Sequence, residues 1–213
     1  MITLRYRAFA DVPPGTVPVA GRRAAAPSVG HSNPASILLP DIAPIAGLPI
    51  ELAGLLPNRD HNEDMLRGLD ALAGDLGDPA PLVGLFAADP FLRVNRLAKR
   101  LAAQGLRDVV NLPSVAQYGA DYSLTLNSLG IGPLHEIETL AQFKALGFRV
   151  SVAITCVEDL AAALPLQPRY LLAVPRFGDG ASADARTAHL EALAAGLLEA
   201  CRREGVVADV MVG

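Results

Sequence analysis

The sequence predicts an α/β fold in which parallel strands are covered by helices. Two observations point there. The strand candidates are continuously apolar rather than alternating, the pattern of strands buried on both faces. Segments of helical periodicity separate them, as connections between parallel strands require. A third observation is compositional. Aromatic residues make up 5% of the 213 and tryptophan is absent, so Ala, Leu and Val must build the core. Seven β/α units suit a TIM-type (β/α) barrel, shortened or modified and carrying an extra N-terminal strand, better than a flat doubly wound sheet. No linker interrupts the pattern, so one domain over 1–213 is expected.

The elements follow in order. Ile2–Phe9 alternates apolar and polar residues and reads as a half-exposed strand. Val17–Ala20 reads as a short strand, and Ala24–Asn33, with Pro27 and Gly30, as loop. Ile37-Leu38-Leu39 opens the next apolar run. Asp60 is placed to cap a helix from Asn62 to Leu76, with Met65, Leu66, Leu69 and Leu72 on one face. Pro81–Phe86 is an apolar strand. Asp89-Pro90 then has the N-cap and first-turn pattern of a helix carrying Phe91, Leu92, Leu97 and Leu101 to Gly105. Asp108–Leu112 is a strand, and 115–133 a glycine-punctuated loop with room for a short helix. Leu134–Leu146 is helical with Gly147 as its stop. Val150–Ile154 is a strand, Val157–Leu164 a short helix, Tyr170–Val174 a strand, Ala183–Arg203 a long helix and Val206–Val212 the last strand.

Composition excludes several classes. Hydrophobic residues at 51% and charged residues at 19% are too apolar for a disordered chain. A net charge of −4 without a basic run leaves no footprint for nucleic acid. The first residues lack the apolar core of a signal peptide. No apolar stretch reaches the ~18 residues of a membrane span. A cytoplasmic protein is expected. Cys156 and Cys201, far apart in sequence, read as reduced, partly buried thiols. His31, His61, His135 and His189 are too scattered for a zinc site, and His61 reads as a surface residue.

In a barrel, chemistry sits beyond the C-terminal ends of the strands. The polar residues there are Asp41, Asp89, Asn111 with Ser114, Thr155 with Cys156, and Arg176. Beyond Arg176, the loop Gly178–Ser182 leads into a helix and can offer backbone N–H groups to an anion. Each has a structural alternative: Asp89 as a cap, Asn111 as a partner of loop backbone, Glu136 as a first-turn carboxylate favoured by the helix dipole. His135 and Glu136, being adjacent, point to different faces of their helix.

Four segments in register resemble the phosphoenolpyruvate hydrolase-like barrel proteins, relatives of the phosphoenolpyruvate mutase and isocitrate lyase group. They are Leu52-Ala53-Gly54-Leu55-Leu56-Pro57 with Asp60 and Asn62-Glu63; Ala88-Asp89-Pro90-Phe91; Val110-Asn111-Leu112-Pro113-Ser114-Val115; and Gly130-Ile131-Gly132 followed by Glu136. The family also includes the barrel half of a plant antiviral ATP-binding protein. The resemblance, spanning about residues 37 to 185, implies a hydrolase or lyase that acts on a small keto acid through an enolate-like intermediate. Asp89, Glu136 and Asn111 would then be catalytic, and Asp41, Ser114, Arg176 and Ser182 would bind a small carboxylate substrate. A Mg²⁺ ion held by carboxylate oxygens would fit that chemistry, with no organic cofactor.

The departures from the family are specific. Its arginine-bearing segment after the second strand is here Leu39–Glu51, which holds no arginine. A family histidine is replaced by Val174, and an acidic pair by Asn127-Ser128. The family pattern continues past its seventh unit, where this sequence has Val210–Gly213. These departures support an alternative: a catalytically degenerate barrel acting as a binding or partner subunit. An open seven-unit barrel exposes two edges. Ile2–Phe9 would fill the gap, or a second subunit would cover it in a homo-oligomer or partner complex.

Overall fold

The computed structural model describes residues 2–3, 5–8, 36–40, 50–56, 60–71, 80–178, 183–206 and 208–212. Its strands are β1 (Ile2–Thr3), β2 (Arg5–Ala8), β3 (Ser36–Leu39), β4 (Leu82–Gly84), β5 (Asp108–Val110), β6 (Arg149–Ile154), β7 (Tyr170–Ala173) and β8 (Asp209–Val212). Its α-helices are α1 (Ile50–Ala53), α2 (His61–Ala71), α3 (Val94–Ala103), α4 (Ala120–Ser128), α5 (Pro133–Ala145), α6 (Leu160–Ala163) and α7 (Ala183–Arg203).

Every strand pairing is parallel, in the order β1-β8-β7-β6-β5-β4-β3-β2. The sheet is curled. Its two outermost members are consecutive pieces of one N-terminal stretch. Ile2 and Thr3 pair with Met211 and Val212, while Arg5–Ala8 pair with Ser36–Leu39. The two pieces of the N-terminal stretch thus pair with the last strand and with the third, the first of the two arrangements expected for Ile2–Phe9.

Side-chain alternation sorts the core into layers. Ile37, Leu39, Leu82, Val110, Ala153, Tyr170, Leu172 and Met211 form one buried cluster on one face of the curled sheet. Leu38, Val83, Val109, Val152, Leu171 and Val210 face the other way, against Met65, Leu69, Leu97, Leu101, Leu140, Phe143 and Leu197 of the helices. Strands buried on both sides explain why their sequence is continuously apolar. Gly84 lies on the first face. A Cβ there would overlap Leu39 Cδ2 and stand 2.6 Å from the Leu112 carbonyl oxygen. Glycine is required for that approach of two chains.

At the opposite end from the candidate site, Asp108 anchors the N-terminal ends of β5, β6 and β7. Its carboxylate accepts from Arg149 Nε (2.7 Å) and Arg169 Nη1 (2.7 Å). The guanidinium of Arg169 also lies 5.0 Å from the Tyr170 ring.

Several elements differ from the sequence expectation. Asp60 does cap α2, its Oδ1 accepting from Glu63 N at 2.8 Å, and Met65, Leu66 and Leu69 are buried as expected. Leu72 lies outside the described residues, as do the expected strand Val17–Ala20 and loop Ala24–Asn33. The helix after Asp89 starts at Val94, not Pro90, with no side-chain cap at Arg93. Phe91 is 86% exposed rather than packed on a helix face. The segment read as loop over 115–133 holds a 3-10 turn, Val115–Tyr118, and then α4. His61 is buried, edge-on to Phe86 at 6.1 Å, rather than on the surface. Among the described residues, no helix is long and apolar enough to cross a membrane.

Candidate functional site

The C-terminal end of β5 runs into Asn111, the cis peptide Leu112–Pro113 and Ser114. Asn111 is 2% exposed. Its Oδ1 accepts from the Ala153 N–H of β6 at 2.9 Å, so the side chain bridges two strand ends. Its Nδ2 donates to Glu136 Oε2 at 2.8 Å. Glu136, in the first turn of α5, has no exposed surface. The Ser114 hydroxyl donates to the same Oε2 at 2.6 Å, and Val115 N–H donates to Oε1 at 2.9 Å. Three donors therefore hold one carboxyl group, and none of them is a cation.

Burial pushes the Glu136 carboxyl from its ordinary 4.5 up to about 7, against the three hydrogen bonds that pull it down. Removing a charge from water costs more here than three neutral donors return.

Ser114 also begins the 3-10 turn. Its Oγ accepts from Ala116 N–H at 3.3 Å, while its own N–H donates to Gln117 Oε1 at 3.0 Å. This is a capping box, in which cap and third residue satisfy each other's backbone. Gln117 reaches further. Its Nε2 donates to the Pro175 carbonyl at 3.0 Å, and its own carbonyl accepts from Phe177 N–H at 2.8 Å. The Tyr118 hydroxyl donates to the Leu55 carbonyl at 2.6 Å, and its ring stacks on Phe177 at 5.4 Å. Residues 114–118 are thus tied to the segments that follow β3 and β7, and to α5.

That span forms part of an apolar roof. Leu52, Leu55, Ala88 and Val115 are buried together, with Phe86, Tyr118, Leu126 and Phe177 packed against them. These residues follow the C-terminal ends of β3, β4, β5 and β7, or belong to α4. Among the described residues, these hydrocarbon and aromatic groups share this end with the half-buried Asp89 and Arg176.

The expected site residues fall into separate groups. Asn111, Ser114 and Glu136 come together in the buried network. Asp89, half-buried, stands apart: its Oδ1 accepts from Phe91 N–H at 2.8 Å and its Oδ2 from Asn62 Nδ2 at 3.0 Å. Asn62 also clamps the end of β4, donating to the Phe86 carbonyl (2.9 Å) and accepting from Phe86 N–H (3.2 Å). Arg176, half-buried, donates from Nε to Thr155 Oγ1 at 3.1 Å, and that hydroxyl donates to Asp159 at 3.0 Å. Asp41 and Ser182 lie outside the described residues. His135 turns away from Glu136, as adjacency requires, and meets Glu138 at 3.7 Å.

Neutral donors take three of the roughly four acceptor sites of the Glu136 carboxylate. Among the described residues, no group of three His, Cys, Asp or Glu side chains is arranged to hold a metal. Cys156 and Cys201 are free thiols, and burial together with the neighbouring Asp159 and Glu158 pushes Cys156 up to about 11.

Sequence reasoning missed Asn62, Gln117 and Tyr118. Gln117 had a signal: Ser114-Val115-Ala116-Gln117 has capping-box spacing. Asn62 stood in one of the segments that carry the family resemblance, but nothing there gave it a role, and Tyr118 had no signal.

No family model matches the chain. It is similar to two tomato (Solanum lycopersicum) proteins, the ToMV resistance protein Tm-1(GCR237) and the ToMV susceptible protein tm-1(GCR26). Each is 30% identical over 111 residues, which is 52% of this chain and 15% of the tomato protein. The similarity thus covers a small part of those longer relatives.

Proposed function

We propose that this chain is a TIM-type barrel of the phosphoenolpyruvate hydrolase-like kind that acts as a binding or partner subunit rather than as a hydrolase or lyase. The apolar roof carries this reading. An enolate-forming site needs a wet or ligand-filled bowl with donors aimed at developing charge. Here Leu52, Leu55, Val115, Tyr118 and Phe177 crowd the end where that bowl belongs. The buried network supports the same reading, because all three of its donors are spent on Glu136. So does the arginine-free stretch Leu39–Glu51, which offers no guanidinium fork for a carboxylate or phosphate.

One observation favours the enzyme reading. Glu136 holds its proton near neutral pH, as a general acid or base does, and Arg176 lies at the same end of the sheet. In that reading Asp89 and Glu136 move protons, Asn111 and Ser114 orient a keto acid, and Arg176 meets its carboxylate.

The deciding experiment presents the protein with a panel of small keto acids, with and without Mg²⁺. Turnover is followed by product formation and binding by calorimetry. The binding reading expects no turnover above background. Turnover that disappears in Asp89→Asn, with the fold intact, overturns it.

A further inference from the structure

The 114–118 span is fastened on three sides: to Glu136 through Ser114 and Val115, to Pro175 and Phe177 through Gln117, and to Leu55 through Tyr118. Two of these fastenings join groups that stay neutral between about pH 5 and about pH 8, since burial raises the Tyr118 phenol above its ordinary value. The third ends on a titratable group with no exposed surface.

We propose that Glu136 is a proton-operated latch for the roof: protonated, it holds the 114–118 span closed, and ionised, it favours local opening that lets water reach the carboxylate. The geometry accommodates the proton without moving a heavy atom. Along the 2.6 Å line between Ser114 Oγ and Glu136 Oε2, either oxygen can be the donor. Asn111 Nδ2 and Val115 N–H donate to the carboxyl oxygens in either state.

Among the described residues, the charged and titratable neighbours are engaged elsewhere: on α3, which packs on α5, Arg96 pairs with Glu63, Arg100 pairs with Asp70 and Lys99 is exposed. On α5, His135 and Glu138 face each other, and Lys144 donates to Gln167 and the Leu166 carbonyl. Beyond β6 and β7, Asp159 and Arg176 share Thr155, and Cys156 lies with Asp159 and Glu158. On α4, Asp121 and Tyr122 are exposed, and the Tyr118 hydroxyl is committed to Leu55. Asp108 sits at the other end of β5 with Arg149 and Arg169. The ionised state therefore has water, reached by opening, as its source of relief. A group that titrates at a higher pH closed than open favours the closed form at low pH. The latch stands whatever the roof covers, and whether or not the protein turns anything over.

The test is amide hydrogen exchange by NMR, corrected for the intrinsic effect of pH, together with the carboxyl-carbon titration of Glu136. The opening equilibrium of Val115, Ala116 and Gln117 is expected to rise on the order of a hundredfold between about pH 5 and about pH 8. Val109 and Val150 in the strands stay protected over that range. In Glu136→Gln the rise disappears. If that variant does not fold, the native protein decides alone. A Glu136 carboxyl carbon that titrates in the ordinary carboxylate range overturns the latch. So does pH-independent exchange at 115–117, or opening in which Val109 and Val150 take part equally.

Discussion

Ser114 Oγ lies 2.6 Å from Glu136 Oε2, and this one contact joins the end of a strand to the first turn of the helix that covers it. The same hydroxyl accepts from Ala116 N–H, so it caps the 3-10 turn while it binds the carboxyl. Removing it in Ser114→Ala deprives a buried carboxyl of one donor and a turn of its cap. A loss of about 1–3 kcal/mol is expected in urea unfolding. Asn111→Ala should cost at least as much, because the Ala153 N–H of β6 then loses its acceptor as well.

The pH dependence of global stability follows from the raised Glu136 carboxyl. The folded protein binds this proton up to about 7, whereas the unfolded chain releases it near the ordinary 4.5. Between those values the folded state holds more protons, so stability is fully present below the unfolded value and is lost as pH rises through the folded one. The decline amounts to roughly 3 kcal/mol. Thermal unfolding from acid to mildly alkaline pH measures it, and Glu136→Gln should flatten that part of the profile.

Gly84→Ala places a methyl group against Leu39 Cδ2 and the Leu112 carbonyl. Leu39 can turn aside, but the Leu112 carbonyl is backbone and cannot. A loss of about 1–3 kcal/mol is expected from overpacking, read in denaturant unfolding.

The two arginines on Asp108 should differ in the consequences of losing their partner. Arg149 has a side chain 57% exposed, Arg169 only 19%. Asp108→Ala leaves the more buried guanidinium without its carboxylate, a loss on the order of 3 kcal/mol. Arg149→Ala removes a partner already screened by water, and a cost below about 1 kcal/mol is expected. Chemical denaturation of both variants separates the two cases.

Cys156 should be a slow nucleophile despite its partial exposure. With its thiol pushed up to about 11, little thiolate exists at neutral pH. Alkylation followed by mass spectrometry should show it reacting well below the rate of a free cysteine. Denaturation should restore the ordinary rate.

The apolar runs announced the strands because a strand buried on both faces has a composition of its own. Leu82–Gly84, Asp108–Val110 and Tyr170–Ala173 all fall inside runs legible in the sequence. Helix α4, allowed for only as a short helix somewhere within 115–133, was not placed for the opposite reason. None of its residues is buried, so it has no apolar stripe for a periodicity to reveal. Asp89 misled in an instructive way. The Asp-Pro pair reads as a helix start, but its oxygens are taken by Phe91 N–H and by Asn62, 27 positions earlier. The chain turns before the helix begins. Asn111 and Ser114 were legible as polar residues at a strand end, and Glu136 as a first-turn carboxylate. Their mutual contacts were not, because residue spacing does not say whether a polar side chain faces solvent or a neighbouring element.

The division of residues 2–8 between Met211–Val212 and Ser36–Leu39 has a consequence for how the molecule assembles. Residues 5–8 pair with a strand 31 positions further along the chain, whereas residues 2–3 pair with one 209 positions further along. Contacts between positions so distant along the chain slow folding, because a very long loop must close before they form. The pairing of β1 with β8 should therefore form late, and disrupting either of these segments should be felt at the seam where the two meet.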